Sequence, residues 1–271
     1  MSWDVVKGSV IGPSHIKSGL PNQDAFSYEE DNGVHLVGVA DGHGSSSCFR
    51  SHIGSRLATE AVIRQAKPLS AEKLDALDEE SAYAFTRKWG EKVLKAWVKD
   101  VLSHLRENPF TQSEVDGLDD KGRRALGKNA LLAYGATLIA VIITPNRILG
   151  YNLGDGDLLV AHGRKVICTV YKDDDTIGNS TYSLCTSGSM SKLAHLDMTT
   201  EDLDWIMIAT DGYRNSFKNE KGFYKVGKDL HKLYRKHGLE VIEKHFEGWL
   251  HETTQGGSGD DLTSLVFFKN T

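Results

Sequence analysis

The segment Ala136–Val170, ATLIAVIITPNRILGYNLGDGDLLVAHGRKVICTV, decides the fold class. It holds a succession of short runs rich in Val, Ile and Leu: Ala136–Ile143, Ile148–Leu153, Asp157–Ala161 and Lys165–Val170. Between them stand Thr144-Pro145-Asn146-Arg147, Gly154-Asp155-Gly156 and His162-Gly163, all turn chemistry. Short strands joined by Gly, Asn and Pro turns predict an antiparallel meander. Upstream, Trp3–Val10 and Val34–Ala40 read as further strands, with the polar segment Gly12–Gly19 between them. Phe49, Ile53, Leu57 and Ala61 recur every four residues and share one helix face. A longer helical pattern spans Ser70–Glu107, where Phe85, Trp89, Val93, Trp97, Val101 and Leu105 form a stripe suited to core packing. Val115–Lys128 reads as a loop with one helical turn, and Asp173–Thr200 as polar and irregular. Trp205–Ala209 is a strand, Val226–Lys236 and Leu239–Thr253 are amphipathic helices, and Leu262–Phe268 is the last strand. Runs of each element type, rather than alternation, predict an α+β layered domain and not a doubly wound parallel sheet.

At about 150 residues per domain, 271 residues make one large domain or two small ones. With 39% apolar and 25% charged residues the chain is globular rather than disordered. The formal charge of −5 (32 Lys and Arg against 37 Asp and Glu) disfavours nucleic acid as a partner. Cys48, Cys168 and Cys185 are odd in number and form no C-x-x-C pair, which argues against a disulfide framework or a zinc site. They read as thiols of a reducing compartment. The N-terminal residues carry no secretory pattern, and the longest apolar stretch, Ala130–Ile143, is shorter than a membrane span. A soluble, cytoplasmic monomer with no membrane partner is expected.

The informative feature is where the carboxylates sit. Asp41 follows Val34–Ala40, Asp211 follows Ile206–Thr210, and Asp260 and Asp261 precede Leu262–Phe268. Asp24 lies beside a short apolar patch, and Asp155 and Asp157 flank a glycine. Any one of these is most simply a turn residue. Acids gathered from several strand ends at one sheet edge stay ionised only beside a cation, and all-oxygen donors suit magnesium or manganese. A calcium-loop reading of Asp155-Gly156-Asp157 fails, because its twelfth position is Val166.

Taken in order, Asn22-Gln23-Asp24-Ala25, Val39-Ala40-Asp41-Gly42-His43-Gly44, Gly135-Ala136-Thr137-Leu138, Asn152-Leu153-Gly154-Asp155, Ala209-Thr210-Asp211-Gly212 and Asp260-Asp261-Leu262-Thr263 resemble the signature of the protein phosphatase 2C family. The resemblance runs from about residue 9 to 268 and unites the chain as a single catalytic domain, 1–271. It implies a four-layer α-β-β-α sandwich with two central, mainly antiparallel sheets. It implies hydrolysis of phosphoserine and phosphothreonine by a metal-activated water, without a phosphoenzyme, using two divalent ions, Mn2+ or Mg2+. Asp41 would bridge the ions, with the Gly42 carbonyl on one and Asp211 and Asp260 on the other. Asp24 would be an outer carboxylate holding metal-bound water, and Asp261, where the family usually has Asn, would stand behind the ligands. His43 would protonate the leaving alkoxide. Gly44, Gly135 and Gly154 would be structural, and Asp155 a turn acid. The partner implied is a phosphoprotein, with a cognate serine/threonine kinase in the same cell.

The chain departs from the family pattern in places. Gly19 stands where an Arg often grips the substrate phosphate, leaving Lys17, with His15, as the cationic candidates; an exposed loop lysine is an equal reading of Lys17. Gln23 replaces a frequent Glu, and Leu131–Tyr134 offers no acid for a third metal. Two rivals stay open. One is a haloacid-dehalogenase-like phosphatase, with Asp155-Gly156-Asp157 and Gly259-Asp260-Asp261 as its acids. The other is a phosphatase-like regulatory or binding module of weak activity.

Overall fold

A computed structural model describes residues 2–66, 70–169 and 181–270. Its strands, in chain order, are β1 (Trp3–Val10), β2 (Ala25–Asp31), β3 (Val34–Ala40), β4 (Leu138–Ile143), β5 (Arg147–Leu153), β6 (Asp157–His162), β7 (Lys165–Cys168), β8 (Ala194–Thr199), β9 (Trp205–Ala209) and β10 (Leu262–Lys269). The helices are α1 (Pro13–Ser18), α2 (Ser51–Ala66), α3 (Ala71–Asp75), α4 (Glu79–Glu107), α5 (Gln112–Asp116), α6 (Asp120–Lys128), α7 (Asp211–Asn215), α8 (Glu220–His237) and α9 (Leu239–Gly256). One sheet has the order β1-β10-β9-β6-β7 and the other β2-β3-β4-β5-β8, and every pairing described between strands is antiparallel.

The layering follows from the period of two along a strand. In β3, Val34, Leu36 and Ala40 join Trp89, Val93 and Trp97 of α4 in one core, while Val37 and Val39 turn to the opposite face. In β9, Trp205, Met207 and Ala209 pack with Phe223 of α8 and Ile242, Phe246 and Leu250 of α9. Ile206 and Ile208 face the other sheet, where they meet Val37, Val39 and Ile139. Both faces of each central strand are therefore dry, so these strands read as unbroken apolar runs rather than alternating ones. The result is the expected α+β sandwich of four layers, α-β-β-α.

The meander reading needs a correction. β4 pairs with β5 and β6 with β7, but β5 and β6 lie in different sheets. Gly154-Asp155-Gly156 is thus the crossing from one sheet to the other, not a hairpin. Gly154 sits at φ +114°, and a Cβ there would come within 2.6 Å of the Thr137 side chain. Local turn chemistry cannot distinguish a hairpin from a crossing, because both need the same tight reversal.

Other differences have local causes. Gly12–Gly19 contains α1, started by Pro13 and ended by Gly19 at φ +69°. The hairpin β2–β3 turns on Asn32-Gly33, both at positive φ, the signature of a tight two-residue turn. Val115–Lys128 holds α5 and α6 rather than one turn, α5 opening with a capping box of Thr111 and Glu114. Asp173–Thr200 ends in β8, whose polar sequence pairs with β5 at the sheet edge; positions 170–180, and with them Val170 and Asp173, lie outside the described residues. In α2 the most buried face carries Gly54, Ser55, Ala58, Thr59 and Val62, while Phe49, Ile53 and Leu57 are only partly covered. Small residues let α2 approach β3 closely. All three cysteines are free, Cys48 and Cys185 buried.

Arg50, a buried residue just before α2, ties the helical layer together. Its guanidinium grips both oxygens of Glu114 at 2.7 and 2.9 Å and donates to the Tyr134 hydroxyl at 2.8 Å and the Asn108 carbonyl at 2.6 Å. This fork holds the Glu114 carboxyl down at about 2, from 4.5. The pair therefore stabilises the fold above about pH 4.5 and loses that contribution as pH falls towards 2. We expect Arg50→Ala to cost about 2 kcal/mol in urea unfolding, since it removes charged hydrogen bonds to part-exposed Glu114, which keeps Thr111, and to the Tyr134 hydroxyl, which keeps His104. The variant is also expected to lose the part of the acid dependence that Glu114 contributes.

Candidate active site

One end of the sandwich collects the strand-terminal acids. Asp41 follows β3, Asp211 follows β9, Asp260 and Asp261 precede β10, Asp24 precedes β2 and Asp155 follows β5. The register explains the convergence: Ala25 pairs with Ala40, and Ala209 with both Ser264 and Asp157. Residues from nearly the whole length of the chain thus come to one edge.

Backbone contacts fix the edge. The Thr137 amide donates to the Asp41 carbonyl at 2.8 Å, and the Asp41 amide to the Thr137 hydroxyl at 3.0 Å. Gly42 donates to the Gln23 carbonyl at 3.1 Å; a Cβ on Gly42 would stand 2.6 Å from that oxygen. The His43 amide donates to the Gly135 carbonyl at 3.1 Å. A Cβ on Gly212 would fall 2.1 Å from the Asp261 carbonyl oxygen, so glycine alone permits that crossing. The Thr210 hydroxyl donates to Asp24 at 2.7 Å, and the Asn215 amide to Asp211 at 2.9 Å.

Electrostatics give the site its character. Burial raises Asp24 well above the usual carboxylate range, and the charge of Asp261 adds to it despite the Thr210 bond. Asp41 is raised well above the usual carboxylate range by burial, then by the charges of Asp24 and Asp211. Asp211 is pushed up to about 6 by burial, then Asp155 and Asp260. Asp260, at the exposed rim, is raised by the part of it that is covered and then by Asp261. Buried carboxyls that face one another stay ionised only beside a compensating cation. Buried Gln23 presents an Oε1 with no hydrogen-bond partner beside Gly44. Among the described residues no three His, Cys, Asp or Glu side chains close into a ready-made cage. The donor set is nevertheless all oxygen, negative and open on one side, which fits hard divalent cations that keep part of their water shell.

The remaining predicted residues divide. Asp261 takes the Gly12 amide on one oxygen at 2.8 Å, and the Gln23 amide (2.6 Å) and His15 Nδ1 (2.8 Å) on the other. Every contact is to an acceptor, so an Asn, whose amide nitrogen would face N–H donors, does not fit here. This accounts for Asp in place of the usual Asn, and it also commits the His15 Nδ1 to Asp261. Lys17 is exposed on α1. His43 is lowered by burial, against the opposing pull of Asp155. Asp155 accepts the Thr181 hydroxyl at 2.7 Å and adds to the negative field at Asp211 and His43, so it is more than a turn acid. Asp157, pushed up to about 7 by burial, faces Arg214 of α7, with 3.5 Å between Nε and Oδ2. Asp155 and Asp157 therefore serve different neighbours rather than one phosphate. Sequence reading missed the positioning roles of Thr137, Thr210 and Asn215; the signal available was their place inside or beside the motifs.

A family model described as protein phosphatase 2C matches residues 11–251, which stops short of Asp260 and Asp261. Serine/threonine-protein phosphatase 3 of Escherichia coli (strain K12) is 24% identical over 201 residues, covering 71% of this chain and 67% of that protein. Among solved structures, the serine/threonine phosphatase Stp1 from Staphylococcus aureus aligns over 100% of this chain and 96% of its own, with a TM-score of 0.64 and 13% identity. The catalytic domain of the serine/threonine phosphatase PstP, in complex with two manganese ions, aligns over 98% and 97%, with a TM-score of 0.60 and 13% identity. The chain belongs to the protein phosphatase 2C family. That membership sets its class: a metal-dependent protein serine/threonine phosphatase, and neither rival reading is favoured.

Metal-free protein should lose stability as pH rises from about 4 through 6, because unfolding frees these acids to ionise at their ordinary values. Thermal melts in a chelator should therefore fall over that window. Adding Mn2+ at pH 7.5 should raise the melting temperature, and Asp41→Asn should abolish the increment.

Proposed function

We propose that this chain dephosphorylates phosphoserine and phosphothreonine in proteins, with its chemistry at the Asp24–Asp41–Asp211–Asp260 edge. The observation that carries the reading is the convergence of these acids from distant segments, with Asp24, Asp211 and Asp260 all raising the pKa of Asp41. Asp41, the Gly42 carbonyl, Asp211 and Asp260 would hold two divalent cations, Mn2+ or Mg2+. When bound, the cations supply Lewis-acid charge and a water acidic enough to attack phosphorus at neutral pH. The two ions in PstP support this assignment.

The chain's own residues do the rest. Asp24, fixed by Thr210, orients water at the edge. Asp261 fastens the α1 segment beneath it through Gly12 and His15. His43 stands beside Asp41 on a backbone pinned to Gly135. It is the group that hands a proton to the departing serine or threonine oxygen, which is otherwise too basic to leave. Burial favours its neutral form, and Asp155 opposes this by favouring the cation. Lys17 is the exposed cation available to meet the substrate phosphate, with His15 turned to Asp261. The chain acts as one catalytic domain over 1–271, because the acids that make the edge come from both ends. No helix among the described residues is long and apolar enough to cross a membrane. A cytoplasmic monomer opposing a serine/threonine kinase, without nucleic-acid or membrane partners, fits that and the charge of −5.

Leaving-group dependence tests the assignment. His43→Gln should lower kcat on a phosphothreonine peptide by about 10²–10⁴-fold. It should cost far less on p-nitrophenyl phosphate, whose leaving group needs no proton. Equal losses on both would remove His43 from the acid role. Asp41→Asn should abolish Mn2+-dependent turnover of both, and turnover surviving that change would refute the site.

A further inference from the structure

Helix α4 presents a second, uncommitted surface. Lys88, Lys92, Lys95, Lys99, Leu102 and Arg106 fall within about 40° either side of one line along the helix, over about 27 Å. All six are exposed. Among the described residues none of these five cations pairs with an acid, and the nearest acids of the helix are engaged elsewhere, Glu91 with Arg87 and Asp100 with Arg64. An unbroken positive stripe is unexpected on a chain of net charge −5. Leu102, 44% exposed, adds an apolar point to it.

The stripe borders a shallow depression of about 550 Å³, lined by Lys95, Val98, Lys99, Leu102 and Arg106 among others. Val98 also lines a second cavity, of about 320 Å³, between α4 and the 184–190 segment. Cys185 belongs to that cavity, and its sulfur and the His43 ring both lie against Gly135. Buried packing through Cys185 and Gly135 thus separates that cavity from His43.

We propose that the α4 stripe docks an acidic, leucine-anchored segment of the phosphoprotein substrate, outside the phosphorylated residue. The reading rests on the phosphatase assignment above for the identity of the partner, and on charge complementarity for its chemistry. One exposed leucine is too little apolar surface to enter a bilayer. It suffices to seat one side chain of a peptide whose carboxylates lie along the cations. The contact acts on KM and leaves the bond-breaking step untouched.

The test uses a fluorescent, unphosphorylated synthetic peptide rich in Glu, with leucines four residues apart, followed by anisotropy. The wild-type chain should bind it in a salt-sensitive way. Lys95→Glu/Lys99→Glu/Arg106→Glu should weaken binding at least about tenfold. Arg164→Glu/Lys165→Glu, a charge reversal on the exposed turn after β6, should leave it unchanged. Fused to a phosphothreonine peptide, the same acidic extension should lower KM for the wild type but not for the triple variant. Turnover of p-nitrophenyl phosphate should match between the two. Should the triple variant unfold by circular dichroism, Lys95→Gln/Lys99→Gln replaces it, with a smaller expected loss. No peptide binding, equal binding by wild type and stripe variants, or stripe-dependent binding to phosphatidylserine vesicles in place of the peptide would each overturn the proposal. Absence of turnover by the wild type, with stripe-dependent peptide binding intact, would instead refute the phosphatase reading and leave the docking surface standing.

Discussion

Carboxylates forced together in a poorly hydrated place repel one another, and folding brings them there only where something else holds the chain. Here that something is the pair of sheets, whose central strands are buried on both faces and cannot slip without exposing a whole apolar row. Asp41, Asp211 and Asp260 sit one or two positions beyond the end of such a strand or before its start, where the ladder ends. Burial and the charges of Asp24 and Asp211 raise Asp41, and under the proposal above a divalent cation would relieve that repulsion.

The residues behind the acids make that edge rigid. Thr137 and Asp41 exchange two hydrogen bonds, Thr210 steadies Asp24, and glycines at 42 and 212 let backbones cross at distances no side chain would allow. Asp261 draws Gly12, His15 and Gln23 together from the other end of the chain. Asp at 261 thus fits its surroundings: the carboxylate takes His15 Nδ1 and two backbone amides that an Asn could not all satisfy.

Much of this was legible in the residues. β3 and β9 have the bounds their apolar runs suggest, because strands dry on both faces carry an unbroken signal, and the edge strand β1 also matches its predicted bounds. The apolar face of α4 is core at Trp89, Val93, Trp97 and Val101, as its four-residue spacing suggests, while Phe85 and Leu105 are only partly covered. What was not legible is polar or long-range. β8 is a strand because β5 offers it an edge, not because its sequence asks for one. α5 and α6 are short, exposed and held by caps and by the fork of Arg50. The break between β5 and β6 is invisible locally, since a crossing and a hairpin use the same glycines.

By itself the sequence determined the α+β class, the order of the motifs and the identity of the acids, since strand-end aspartates follow from local apolar runs and turn residues. The tertiary structure alone decided which acids face one another, that the Asp155-Gly156-Asp157 pair divides between two neighbours, and that His15 serves Asp261. Those outcomes depend on the register of strands far apart in the chain and on the crossing of backbones at Gly42 and Gly212. Such distances are set by packing between sheets, and no spacing along the chain encodes them.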